Sequence, residues 1–405
     1  MISFGFGTTA FHLAAAHSDE SVLAALLESA GSAGVPSGCL HVATGNRNTR
    51  VLALLLAAGA DVNACVADTT ALHMAVLHAN RGAVALLVDA GADVNSRTHF
   101  GDLRTPSNVA AMMCDVDTLA LLIKVGADVN LPDAFGFTPL HMAARSRRST
   151  AALELLVGLG GADVDAVNLV GETPSLIAAA NENAAALSLL IDAGADVRGA
   201  AICLRAAANQ NDHVMALLLA AGADVHRADA SGLTPCHVAA MNSNAGVLAR
   251  LIRAGANINT AGGPADKLTP CHCAVLERNV PALTLLLAAG CDVDRSHWLS
   301  AVAVADSYAV LLLLMAAGVG PAPGCALVAD DVDGIADARR QIHRAGFEQI
   351  RVRATEICFA LQSLQLPALQ TILILIEACE PFAVQLDFHV LWNLVVTIKH
   401  HHVSA

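Results

Sequence analysis

The sequence predicts an all-α solenoid: helix pairs stacked side by side with short β-turn fingers between them, followed by a small C-terminal helical tail. Three observations predict it. A glycine in an Ala-Gly-Ala-Asp-like context falls at 59, 91, 126, 161, 194, 222, 255, 290 and 318, in steps of 32, 35, 35, 33, 28, 33, 35 and 28 residues. Thr-Pro-X-His or a degraded form of it recurs once per period, at Thr70-Ala71-Leu72-His73, Thr105-Pro106-Ser107-Asn108, Thr138-Pro139-Leu140-His141, Thr173-Pro174-Ser175-Leu176, Thr234-Pro235-Cys236-His237 and Thr269-Pro270-Cys271-His272. A leucine-rich run such as Leu54-Leu55-Leu56 or Leu217-Leu218-Leu219 precedes the glycine. A fixed period of about 33 residues marks a repeat architecture.

Each piece of the period has a mechanical reason. Threonine accepts from an orphan N–H at the start of a helix, and proline is at home in the first helical position. The following Leu and Ala pair faces neighbouring helices, where small side chains allow close approach. The leucine run is the buried stripe of a second helix, and glycine ends that helix in a left-handed cap. Asp-Val-Asn then opens the extended finger. Two further copies, Thr9-Ala10-Phe11-His12 and Gly38-Cys39-Leu40-His41, bring the count to about ten repeats between Thr8 and Gly318. The short steps 194–222 and 290–318 lack the usual finger, so intact helices with clipped fingers are expected there. No repeat buries its apolar face alone, and stability must come from neighbour interfaces.

The segment Gly136-Phe137-Thr138-Pro139-Leu140-His141-Met142-Ala143-Ala144, with Ala90-Gly91-Ala92-Asp93-Val94-Asn95 and its copies, resembles the ankyrin-repeat family. The resemblance implies a non-enzymatic binding protein that holds protein partners with its finger tips and concave face. It also implies that the recurring His12, His41, His73, His141, His237 and His272 bridge fingers by hydrogen bonds. It further implies that Asn63, Asn95 and Asn130, each eight residues after Leu55, Leu87 or Leu122, match sites of asparagine hydroxylation. The plain alternative for these is a turn asparagine bonding its own backbone.

Composition narrows the function classes. The chain has 405 residues, 55% of them hydrophobic, enough for a large elongated core. Its net charge is −13, with 17 basic and 27 acidic side chains in 1–320 and 6 and 9 in 321–405, so neither part offers a nucleic-acid surface. Apolar stretches such as 310–318 and 372–376 are shorter than the ~20 residues that span a bilayer, so no membrane partner is expected. No basic-then-apolar-then-cleavage pattern follows Met1. The 11 cysteines mostly occupy small apolar repeat positions, which fits reduced, buried thiols and a cytoplasmic protein, with the nucleus also open. A monomer is expected.

Several motifs imitate chemistry. Gly5-Phe6-Gly7-Thr8-Thr9-Ala10 matches a phosphate-binding turn, but it aligns better with Phe135–His141 and lacks a βαβ context. Cys271-His272-Cys273 and Cys236-His237 offer metal-ligand types, yet Cys271 and Cys273 point to different sides of a helix. Cys236 and Cys271 sit one repeat apart, and stacked helices ~8–10 Å apart exceed the ~4.4–6.8 Å Cα separation of a disulfide. No cofactor, metal or catalytic group is expected. Arg145, Arg147 and Arg148 read as a solvated turn.

Phe100-Gly101 and Phe135-Gly136 put an aromatic at the same place on adjacent fingers, and Phe137 follows, in a chain that is only 3% aromatic. Arg97, His99 and Arg104 flank the first ring. Aromatics with arginine are the composition of a binding hot spot. Met74 and Met142, at the variable position after the histidine, would add an adaptable apolar floor. The rings have two open roles, partner contact or bracing of the fingers.

The division expected is a repeat array over 1–318, a linker over 319–329 and a helical region over 330–405 that caps the stack or docks a second protein. Leu366-Pro367 followed by Leu369, Ile372, Leu373 and Ile376 loosely resembles the opening of ubiquitin-ligase adaptor segments. The alternative function is therefore a substrate-receptor subunit of such a ligase.

Overall fold

The computed structural model describes residues 10–292, apart from 18, 31–34, 47–48, 99–100, 148–149, 210, 243–244 and 264–267, together with 310, 313 and 314. The chain falls into two compact units, residues 1–197 and 198–405.

The first unit is a succession of helix pairs: α1 (Ala10–His17) with α2 (Glu20–Ala30), α3 (Cys39–Thr44) with α4 (Thr49–Ala57), α5 (Ala71–Leu77) with α6 (Arg81–Asp89), α7 (Pro106–Met113) with α8 (Val116–Lys124), α9 (Pro139–Arg145) with α10 (Ala151–Gly158), and α11 (Pro174–Ala180) with α12 (Ala184–Asp192). The principal contacts join each helix to its partner in the pair and to its counterpart in the next pair. This is the nearest-neighbour pattern of a repeat stack. The second unit continues the same plan with α13 (Ala200–Ala208) and α14 (Asp212–Ala220), α15 (Pro235–Met241) and α16 (Ala245–Arg253), and α17 (Pro270–Leu276) and α18 (Val280–Ala288). Strand is minimal among the described residues. β1 (Cys65–Val66) pairs antiparallel with β2 (Thr69–Thr70) through a turn whose central residues, Ala67 and Asp68, both have positive φ, as a type I′ hairpin requires.

The helices begin and end where their residues dictate. Thr105 accepts from the Asn108 N–H at 3.2 Å, and Thr173 accepts from the Leu176 N–H at 3.2 Å. Second helices are capped by Asn80, Asp115, Asn183 and Asn279, whose side chains accept from Ala83, Thr118, Ala186 and Ala282. The recurring glycines from Gly59 to Gly290 all have positive φ. Between the pairs lies a continuous apolar layer. Leu52, Leu55, Leu87, Leu119, Leu122, Leu153, Leu156, Leu187 and Leu190 are fully buried, as are Ala110, Ala111, Ala144, Ala178 and Ala179 on the first helices.

At the short step 194–222, α13 starts directly after Gly199 and both helices are intact, so the finger alone is clipped. The second short step, the linker and the tail lie outside the described residues. Of the tenth repeat only Val310, Leu313 and Leu314 are described, and all three are buried.

Candidate partner-binding face

Three of the described fingers are each built around one side chain. The Asp133 carboxylate accepts from the N–H groups of Phe135 and Phe137, both at 2.9 Å, while Asp133 N–H donates to the Phe137 carbonyl at 2.9 Å. Asn168 repeats this in the next finger, accepting from Val170 at 3.0 Å and Glu172 at 2.8 Å. Asp229 does the same in the second unit. There the Ser231 hydroxyl, ahead of the backbone donors, holds the carboxyl below its ordinary range. A short polar side chain that satisfies two turn amides makes the tip rigid without a long strand.

Successive fingers are bonded tip to tip. Ala134 N–H donates to the Asp102 carbonyl at 2.7 Å, and Leu169 N–H donates to the Phe135 carbonyl at 3.0 Å. Gly136 makes this approach possible. A Cβ there would lie 2.7 Å from the Leu169 nitrogen, and its φ of +84° suits glycine.

The histidines are structural, and their bonds fix their tautomer. His141 Nε2 faces the Glu172 carbonyl at 3.1 Å, so it must carry the proton, and Nδ1 accepts from Thr138 N–H at 3.1 Å and faces its hydroxyl at 2.9 Å. His73 reaches the Arg104 carbonyl at 2.9 Å, His237 reaches Leu268 at 2.9 Å and His41 reaches Thr69 at 2.7 Å. Burial pushes the pKa of all four down, against the backbone bonds that raise it. In His73, His141 and His237, protonating Nδ1 would also turn an acceptor toward the N–H and hydroxyl of the capping threonine. Asn108 does the same work in its repeat. Its Oδ1 accepts from Thr105 N–H and hydroxyl at 2.9 Å each, and its Nδ2 donates to the Phe137 carbonyl at 3.1 Å.

A second ladder runs along the finger bases. Asn63 Oδ1 accepts from Asp93 N–H, Asn95 from Asp128 and Asn130 from Asp163, each at 2.8 Å, and Asp165 accepts from Asp196 at 2.9 Å. Within each step the preceding Asp accepts the next residue's N–H two positions on, as Asp128 does from Asn130 at 2.9 Å. These asparagines therefore hold the following repeat, beyond any bond to their own turn.

The family model described as "Ankyrin repeats (3 copies)" matches this chain over residues 11–98, 107–200 and 203–297. The chain belongs to the ankyrin-repeat family. A search of curated proteins finds no matching sequence. An ankyrin array is a protein–protein interaction domain, so the exposed finger tips decide what the face offers a partner.

The sequence-derived residues separate here. Phe135 is 54% exposed at its tip. Phe137, two residues on, turns inward and packs edge-on against the His141 ring with centroids 5.7 Å apart and planes at 79°. Arg97 is exposed, and Arg104 is half-buried and paired with Asp102 at 2.9 Å. Met74 is half-buried and Met142 is buried in the core. His99 and Phe100 lie outside the described residues. Beside Phe135, the next ankyrin finger exposes Val167, Leu169 and Val170 at 61%, 77% and 76%. Leu169 and Val170 occupy the positions of Ala134 and Phe135, so an apolar patch crosses two bonded tips. Its sequence signal is Val167-Asn168-Leu169-Val170, an apolar tip where polar residues are usual, and a search for aromatics alone passes over it. Arg147 is exposed at its turn, as expected, and also bridges to the next repeat: its Nε donates to the Asn181 carbonyl at 2.5 Å and it pairs with Glu182 at 3.3 Å.

No group of three or more His, Cys, Asp or Glu among the described residues is arranged to hold a metal ion, and no described helix is long and apolar enough to cross a membrane.

Proposed function

We propose that the chain is a non-enzymatic scaffold that holds a protein partner against the finger tips and concave face of its first unit. Phe135, Leu169 and Val170 form the anchor, and Arg97 and Arg104 border it. The observation that carries the reading is the exposure of these three apolar side chains on two tips joined by the Leu169–Phe135 backbone bond. A rigid tip loses little conformational freedom on binding, and a contiguous apolar patch on an otherwise polar edge is the kind of surface that partners cover. Phe137 serves the same face indirectly, bracing its finger against the His141 ring. The ligase-receptor alternative rests on residues 366–376, outside the described residues, and no observation in the array favours it. The cytoplasm or nucleus, where thiols stay reduced, is the compartment proposed.

The test compares the full chain with the Phe135→Ser, Leu169→Ser, Val170→Ser triple variant as bait, with captured proteins identified and their affinities measured. The expected result is at least a ~30-fold loss of affinity, about 2 kcal/mol, with an unchanged unfolding temperature. Undiminished affinity for every captured protein refutes the assignment of the site.

A further inference from the structure

The repeat formed by α17 and α18 carries two cysteines that face each other. Cys271 is the second residue of α17, and Cys291 follows the glycine that ends α18. Their sulfurs lie 3.0 Å apart, with the Cys291 thiol donating to Cys271. That is about 1 Å beyond the length of a disulfide bond.

The register of the array makes this pair specific. The same two positions, twenty residues apart, hold Leu72 and Ala92, Ser107 and Ala127, Ser175 and Ala195, Cys203 and Ala223, and Cys236 and Ala256 in other repeats. Both are cysteine only at 271 and 291. Cys291 is as buried as the alanines it replaces, at 7% beside 7% for Ala256 and 8% for Ala223, so its sulfur projects into the place where the stack seats a methyl group. Cys273 is two residues further along α17, on another side of the helix. The exposed Cys65 belongs to the other unit.

We propose that Cys271 and Cys291 are an oxidation site, at which a hydroperoxide closes a disulfide that ties the start of α17 to the end of α18. Cys291 is the sulfur nearer the surface and reacts first. Its sulfur attacks one peroxide oxygen, the O–O bond breaks, and the departing hydroxide takes the thiol proton as water, leaving a sulfenic acid. The Cys271 sulfur then attacks the sulfenic sulfur. The S–O bond breaks, and the hydroxyl leaves with the Cys271 proton as a second water. Two thiols are oxidised to one disulfide, and one hydrogen peroxide is reduced to two waters. The hydrogen bond with the Cys291 thiol, and then burial, keep the Cys271 thiol well above its ordinary pKa, so it stays protonated until the sulfenic acid forms beside it. The bridge closes a loop that is open in the unfolded chain, and so stabilises the repeat against which α15 and α16 pack.

The experiment treats the reduced full chain with graded hydrogen peroxide, blocks remaining thiols with N-ethylmaleimide and maps unreduced peptides. The expected product is a Cys271–Cys291 linked peptide that forms at lower peroxide than any other disulfide and is reversed by dithiothreitol. Unfolding should move up by roughly 5–10 °C on oxidation. Cys271→Leu and Cys291→Ala install residues of sister repeats, so both variants should fold and show no such shift. Cys271 and Cys291 both blocked by maleimide after Cys65 has been oxidised overturns the proposal. So does a link from Cys271 to Cys236 or Cys273.

Discussion

Replacing His141 by alanine or by asparagine separates the bridging role of the histidine from its bulk. His141 is fully buried and supports two repeats at once. In His141→Ala, Thr138 loses the acceptor for its N–H and its hydroxyl, and a buried unsatisfied donor costs about 1–3 kcal/mol. The Glu172 carbonyl loses one of two donors, since Asn168 N–H still reaches it at 3.0 Å, which costs about 1 kcal/mol. The ring also leaves a cavity under Phe137. Together these give about 3–4 kcal/mol. His141→Asn should cost only about 1 kcal/mol, the edge-on contact with Phe137, because Asn108 makes both bonds in the same setting one repeat earlier. Urea unfolding of the full chain followed by far-ultraviolet circular dichroism reads the difference. Hydrogen exchange over 133–145 localises it, which matters because repeat arrays can lose two-state cooperativity. Equal damage from both substitutions, or a cost below about 1 kcal/mol for alanine, would refute the bridging argument.

Stability should also fall on mild acidification. His41, His73, His141 and His237 have folded pKa values below their unfolded value of about 6.5, so the unfolded chain binds the extra protons. Their contribution is whole above that pH and declines as pH drops through it toward the folded values, by at most about 1.4 kcal/mol per pH unit for each histidine. A urea midpoint that stays constant between pH 7.5 and 5.5 would contradict this. Gly136→Ala and Gly126→Ala form a second matched pair. Both positions have positive φ, but only at Gly136 would the new Cβ strike backbone of the next finger. Gly126→Ala should cost about 1 kcal/mol and Gly136→Ala about 1–3 kcal/mol more, and equal unfolding midpoints would show that the fingers are not in close approach.

The stack itself was legible because its signals are local. Thr-Pro at a helix start and glycine at a helix end act within one turn, and their spacing survives translation into helix boundaries. What depends on a neighbour was harder to read. Phe135 and Phe137 look equivalent in the chain, yet one is exposed and the other braces a histidine, because the chain turns at Gly136, with a φ of +84°, between them. Asn108 looked like a lost histidine, but an amide can supply the same donor and acceptor at nearly the same reach. Asn63, Asn95 and Asn130 have the composition of a self-contained turn, and only the apposition of the next finger makes them cross-braces. Val167, Leu169 and Val170 carry no ring, so a search for aromatics passes over them. Their exposure follows from the tip they occupy.

The joints between repeats share a grammar. His73, Asn63 and Asn130 each reach a peptide group of the following repeat, and Asn80, Asn183 and Asn279 each reach peptide carbonyls of the preceding one, at Thr44, Ala144 and Ala240 among others. In each of these bonds the receiving repeat contributes only its main chain, which is the same whatever its side chains are. A module can therefore be duplicated, deleted or exchanged for a sibling, and the seam still closes. The outward-facing residues are then at liberty to diverge, so a copying error in such a gene yields a longer or shorter protein with a new face where most folds would yield an unfolded chain.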